Sequence, residues 1–199
     1  MSDHPASPSA RQVELLEAAY RYALEHGLAD LSLRPLAAAI GSSPRVLIFL
    51  FGSKDGLVRA LLARARVDEL AVLAGPGPDT ESGEAAGLVP AAEEIWAWLR
   101  EARHRPLLRL WAEAYTRSLI EPDGAWAGFA ASTVTDWLGL LASCQPRHER
   151  DTADGTAART AVLALLRGCL LDLLATGDLD RVDAALHHQL GLIRNGPVR

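Results

Sequence analysis

The stretch from Ser32 to Leu57, SLRPLAAAIGSSPRVLIFLFGSKDGL, constrains the fold more than any other. Small residues and prolines cut it into short helical pieces. Ser32 is placed to cap the first, where a hydroxyl accepts a backbone N–H that the helix leaves unpaired. Pro35 falls in the first turn, where a missing N–H does no harm. Leu36, Ala37 and Ile40 then share a face. Gly41 ends the piece, because glycine adopts positive φ without a steric penalty. Ser42 or Ser43 caps the second piece and Pro44 opens it. This piece carries Val46, Leu47, Phe49, Leu50 and Phe51 and is short and unusually apolar. Gly52 and Ser53 break it, and Ser53 caps a long third helix that begins at Lys54.

Two short helices around a four-residue turn are the pattern of a helix-turn-helix. Such a unit sends its second helix into the DNA major groove with the N-terminal end leading. That puts Ser43, Pro44 and Arg45 nearest the bases. Arg45 has the planar fork that pairs with O6 and N7 of guanine. Lys54 is the only lysine in the chain. At a helix start its ammonium opposes the dipole, which favours anions there. A DNA phosphate would reverse that balance. Read alone, Lys54 is equally a solvated lysine after a loop.

These residues resemble the N-terminal domain of the tetracycline-repressor (TetR) family of transcription regulators. The resemblance rests on Ser32-Leu33-Arg34-x-Leu36-Ala37, on the turn Gly41-Ser42-Ser43, and on Phe49-Leu50-Phe51-Gly52-Ser53-Lys54-Asp55-Gly56-Leu57. The last is similar to the family's aromatic-His-Phe-x-x-Lys-x-x-Leu signature. The resemblance as a whole covers Arg11 to Arg66, about a quarter of the chain. Leu50 stands where that signature has histidine. The family's phosphate-contacting tyrosine falls at Ile48, or at Phe49 in variants shifted by one, and neither carries a hydroxyl. The resemblance implies that Arg34, Ser43, Pro44, Arg45, Phe49 and Lys54 form the DNA-binding face.

Charge is distributed to match. Residues 1–66 hold eight basic and six acidic residues; residues 67–199 hold twelve and nineteen. A mildly basic head on an acidic body suits local contact with DNA and not a coat of nucleic acid. Cys144 and Cys169 have neither disulfide nor metal-ligand spacing and read as buried free thiols. The opening ten residues are polar and lack the apolar run of a signal peptide. The most apolar run, Ala161–Ala175, is short for a membrane span and contains Arg167 and Asp172. The expected location is cytoplasmic, with no membrane partner.

Hydrophobic periodicity makes the whole chain all-α. Residues 1–10 read as a disordered tail, 11–66 as the helix-turn-helix domain, and 67–199 as a helical bundle for ligand binding and dimerisation. Arg11 to His26 is an amphipathic helix backing the helix-turn-helix, which makes the head a three-helix unit. The helix from Lys54 runs to Ala74. Residues 75–87, GPGPDTESGEAAG, form a flexible linker rich in Gly, Pro and acid. Helices follow over 89–103, 106–120, 125–143, 156–176 and 179–194, with a polar loop over 145–154.

All five tryptophans lie after the linker, in three neighbouring helices. By spacing they are core as readily as a pocket wall. The family resemblance places an inducer among the middle helices, which makes Trp96, Trp111, Tyr115, Phe129 and Trp137 the candidate effector contacts. Arg109 and Glu113 fall on the side away from Trp111 and are expected to face solvent. Ala161–Ala175 carries leucines nearly all round and must be buried on more than one side. One side packs on its own body and the other on a second copy, which resembles the family's dimer interface of the last two helices from each subunit.

Enzyme readings fail on geometry. His187 and His188, like Glu93 and Glu94, are adjacent in a helix and point about 100° apart. No HExxH, CxxC or nucleophile-elbow pattern appears. No cofactor and no metal is implied. The expected function is a dimeric, ligand-responsive repressor of a palindromic operator. Its alternative is a protein of the same fold with weakened DNA binding, acting through protein partners.

Overall fold

The computed structural model describes residues 9–28, 30–73 and 87–195. The expected tail at 1–8, and the linker as far as Ala86, lie outside the described residues. Ten α-helices and no strand occur among the described residues. They are α1 (Ala10–His26), α2 (Leu33–Ala39), α3 (Pro44–Phe51), α4 (Lys54–Leu73), α5 (Leu88–Leu99), α6 (Arg105–Ile120), α7 (Phe129–Ser143), α8 (Arg147–Arg150), α9 (Ala153–Thr176) and α10 (Leu179–Asn195). The chain divides into two compact units, residues 1–69 with 109–129, and residues 70–108 with 130–199.

Punctuation residues set the first unit. Ser9 Oγ accepts from Gln12 N at the start of α1. Ser43, and not Ser42, caps α3: its Oγ accepts from Val46 N at 3.3 Å. Ser32 does sit at the N-cap of α2 with extended backbone, but its hydroxyl makes no cap hydrogen bond. Gly41 (φ +64) and Gly52 (φ +78) close α2 and α3 in conformations that side chains rarely adopt. Ser53 Oγ accepts from Gly56 N at the start of α4.

The core of this unit is built from Leu15, Tyr20, Leu36, Leu47, Leu57 and Leu61, each at most 3 % exposed. Polar ties fix the helices to one another. Arg64 on α4 pairs with Glu17 on α1 and with Asp68 one turn on. The guanidinium lies 4.8 Å from the centre of the Tyr20 ring, and Tyr20 donates to Asp68. Burial, then the bond to Asp68, pushes the Tyr20 hydroxyl well above the usual phenol range. Gln12 donates to the Leu50 carbonyl at 3.1 Å, which holds the end of α3 against α1.

Glu113 corrects one expectation. It does not face solvent: its two carboxylate oxygens accept the Leu28 N–H at 3.1 and 2.9 Å, just past the end of α1. Arg109 is exposed as expected.

The second unit packs α5, α9 and the descending α10 around Leu99, Leu141, Leu166, Leu170, Leu186 and Leu190, all buried. Trp96 is 2 % exposed and donates its indole N–H to Asp183 at 2.8 Å. Arg100 joins the same carboxylate at 3.0 Å. These contacts, the indole bond first, hold Asp183 below the usual carboxylate range. Burial pushes both cysteine thiols up, which makes them poor nucleophiles.

Three element boundaries differ from the sequence reading. The helix expected over 89–103 ends at Leu99, and a 3₁₀ turn over Ala102–His104 follows it. Residues 125–128 are not part of α7. Gly124–Trp126 form a 3₁₀ turn, and Gly128 (φ +74) separates it from Phe129. The polar loop over 145–154 contains the one-turn α8 and starts α9 early. Gln145 is 1 % exposed there, donates to the Gly155 carbonyl at 2.9 Å and accepts from Arg159 at 3.0 Å. Thr152 caps α9 by accepting from Gly155 N.

Candidate nucleic-acid interface

The chain axis turns through 102° between α2 and α3 across residues 40–43. That is the crossing a helix-turn-helix uses. Leu47 is the buried anchor of α3, 1 % exposed. At about 100° per residue, Arg45 and Phe49 fall almost opposite Leu47 and within about 40° of each other. They form one outward ridge, and both are exposed. Val46 and Ile48 flank it at 38 % and 39 % exposure, while Phe49 itself reaches 84 %. Ser43 is exposed and Pro44 half-buried at the leading end.

A second feature lies beside the ridge. An open cleft of about 630 Å³ is lined by Asp30, Leu31, Ser32, Leu33, Arg34, Pro44 and Lys54. Ser32, Pro44 and Lys54 are the first residues or caps of α2, α3 and α4. Three helix starts therefore border one groove, each with backbone N–H groups that no helical carbonyl satisfies. Arg34 and Lys54 add full positive charge, opposed in the cleft by Asp30. Partial and full positive charge facing one open groove suits an anion the size of a phosphate. Arg11 is exposed and pairs with Glu14 at 2.8 Å.

The aromatic candidates fall in two places. Trp111, Tyr115 and Phe129 are in the first unit, Trp96 and Trp137 in the second. Trp111 and Tyr115 stack obliquely with ring centres 5.1 Å apart. Trp111 is 8 % exposed, and its buried indole nitrogen has no hydrogen-bond partner. Trp96 differs, since its polar edge is already committed to Asp183. Phe129 and Trp137 are buried at 9 % and 8 % exposure. Trp98 stacks on His104 at 3.9 Å. Among the described residues no three His, Cys, Asp or Glu side chains are grouped to hold a metal ion. No single described helix is long and apolar enough to cross a membrane.

Sequence reasoning missed Glu113. Local pattern gives no sign that a carboxylate will meet an amide 85 positions away. The only hint was the unpaired Leu28 N–H expected after a helix ending at Gly27.

Residues 15–61 match the family model described as bacterial regulatory proteins, tetR family. No curated protein matches the chain. Solved structures do. The multidrug binding protein EbrR in complex with malachite green is 26 % identical, with TM-score 0.67, over 96 % of this chain and 100 % of that one. A TetR family member from Streptomyces coelicolor is 25 % identical with TM-score 0.67, over 90 % and 98 %. A putative TetR-family regulator from Rhodococcus sp., at 18 % identity, TM-score 0.71 and coverage of 92 % and 98 %, shares the fold. Residues 15–61 are thus similar to the N-terminal domain of the tetR family of bacterial regulatory proteins, and the whole length follows the fold of solved regulators of that family.

Proposed function

We propose that the chain is a dimeric transcription regulator that binds a palindromic operator as a repressor and is released by a small apolar or aromatic effector. The observation that carries the DNA reading is the outward Arg45 ridge of α3 beside a groove bearing Arg34 and Lys54. Ser43, Pro44 and Arg45 enter the major groove, and Arg34 and Lys54 hold phosphates. A salt titration of the purified protein against DNA from beside its own gene tests this. Binding must be sequence-selective and weaken steeply with salt. Arg45→Ala is expected to weaken operator binding by roughly 1–3 kcal/mol and to relax selectivity at one base pair. An equal loss on every sequence would assign Arg45 to phosphate instead.

The functional division into a head, residues 11–66, and a regulatory body, residues 67–199, belongs to the same proposal. Dimerisation runs through α9 and α10. Leu171 and Leu192 are 51 % and 54 % exposed on these helices, which is unusual for leucine without a covering surface. Two copies related by a two-fold axis present two α3 tips to the two halves of a palindrome.

The effector reading rests on Trp111. A buried indole N–H without an acceptor costs roughly 1–3 kcal/mol, and a ligand carrying an acceptor relieves that cost. EbrR has been solved with imidazole and with malachite green, which makes both suitable probes. Binding is expected to change tryptophan fluorescence and to release operator. Trp111→Phe keeps a ring but removes the N–H, and should weaken imidazole by up to about tenfold. Unchanged affinity would remove Trp111 from the site. Release follows only if the effector prefers the conformation that binds operator poorly.

A further inference from the structure

Phe49 is the most exposed large apolar side chain among the described residues, at 84 %. It stands one turn beyond Arg45 on the same ridge, opposite the buried Leu47. Val46 and Ile48 extend the apolar surface to either side. The surroundings restrict what can cover it. Arg34, Arg45 and Lys54 are exposed on α2, α3 and α4 and outnumber the acids beside them, Asp30 in the cleft and Asp55 in the first turn of α4. The occupant must therefore be anionic at its edges and apolar at its centre. A DNA major groove is both: phosphates line its rims, and the thymine 5-methyl is the apolar group on its floor.

We propose that Phe49 determines sequence specificity by covering the 5-methyl group of a thymine in each operator half-site. This rests on the DNA-binding reading above. Four residues at 1.5 Å rise separate Arg45 from Phe49 by about 6 Å along the helix. Successive bases on one strand are about 3.4 Å apart. The thymine therefore lies within two base steps of the guanine that Arg45 takes. A phenyl ring cannot donate to a phosphate, so the contact Phe49 makes with DNA is apolar.

The test uses the full-length protein and duplexes selected from a random pool. The selected half-site is expected to hold thymine within two steps of guanine. Replacing that thymine by deoxyuridine removes only the methyl and should weaken binding about fourfold. Phe49→Ala should bind the thymine site more weakly and no longer distinguish thymine from uracil. Replacing the guanine by 7-deazaguanine should remain costly for both proteins. Phe49→Leu, which keeps an apolar group, should retain part of the discrimination. Thermal melting checks that the variants fold. If duplexes bind selectively but every thymine-to-uracil change is neutral, or Phe49→Ala still senses the methyl, the thymine assignment is overturned and the DNA reading stands. If no duplex binds at low salt while anionic phosphatidylserine vesicles do, the ridge is a membrane contact and both readings fall.

Discussion

Leu171→Glu is expected to give a folded monomer whose operator affinity is lower by a factor on the order of 10² to 10⁴, the range lost when two linked contacts become one. Leu171 is 51 % exposed, while Leu163, Leu166, Leu170 and Leu173 on the same helix are buried. Its stripe continues through Ala164, Gly168 and Ala175, all exposed and all small enough for another helix to approach closely. In a two-fold interface residues near the axis approach their own copies. A glutamate there is desolvated and set close to a second glutamate. The protomer keeps its own core because the side chain points away from it. Sedimentation at micromolar concentration and an operator titration together check the result. A variant that remains dimeric and binds normally would remove α9 from the interface.

Gly56→Ala is the second large effect. A β-carbon at Gly56 would stand 1.9 Å from the Phe51 carbonyl oxygen and 3.1 Å from its carbon. Both are backbone atoms, so no side chain can move aside. Either α4 shifts along its axis or the end of α3 opens, and the Ser53 cap on Gly56 N breaks with it. Overpacking of this kind costs about 1–3 kcal/mol, occasionally more. In a chain of this size about 2–4 °C of melting temperature is lost per kcal/mol. Operator binding should fall further than stability alone explains, because Arg45 and Phe49 ride on the displaced helix. Gly52 has positive φ but open space around it, so alanine there strains only one residue. Circular dichroism melts and operator titrations on the pair separate the two cases. Equal effects at both glycines would show that the close approach to Phe51 does not matter.

The head was legible because its boundaries are written locally. Ser43-Pro44, Gly41 and Gly52-Ser53 each stop or start a helix through their own backbone or hydroxyl. The helix wheel then says which side of α3 faces inward, since Leu47 alone is fully buried there. What local pattern could not supply is which polar group meets which. Gln145 lies in a segment that reads as loop, yet it is buried because its partners, Gly155 and Arg159, come from the next helix. Trp126 and Phe129 share an apolar face by spacing, and the break at Gly128 was missed for that reason. Periodicity gives an apolar face but not the surface it meets. The tryptophans accordingly read as one cluster, although Trp96 is tied to Asp183 and Trp111 falls in the other unit.

The unbroken run of α4 from Lys54 to Leu73 has a mechanical consequence. Its first turn packs against the end of α3, with Gly56 close to the Phe51 carbonyl. Twenty helical residues make a shaft about 30 Å long, and tipping it by roughly 10° displaces one end by about 5 Å. That exceeds the advance of a single base pair along the duplex. In the dimer proposed above, such tipping would change the spacing between two otherwise unaltered tips, and operators that differ only in the number of base pairs between their halves would measure it directly.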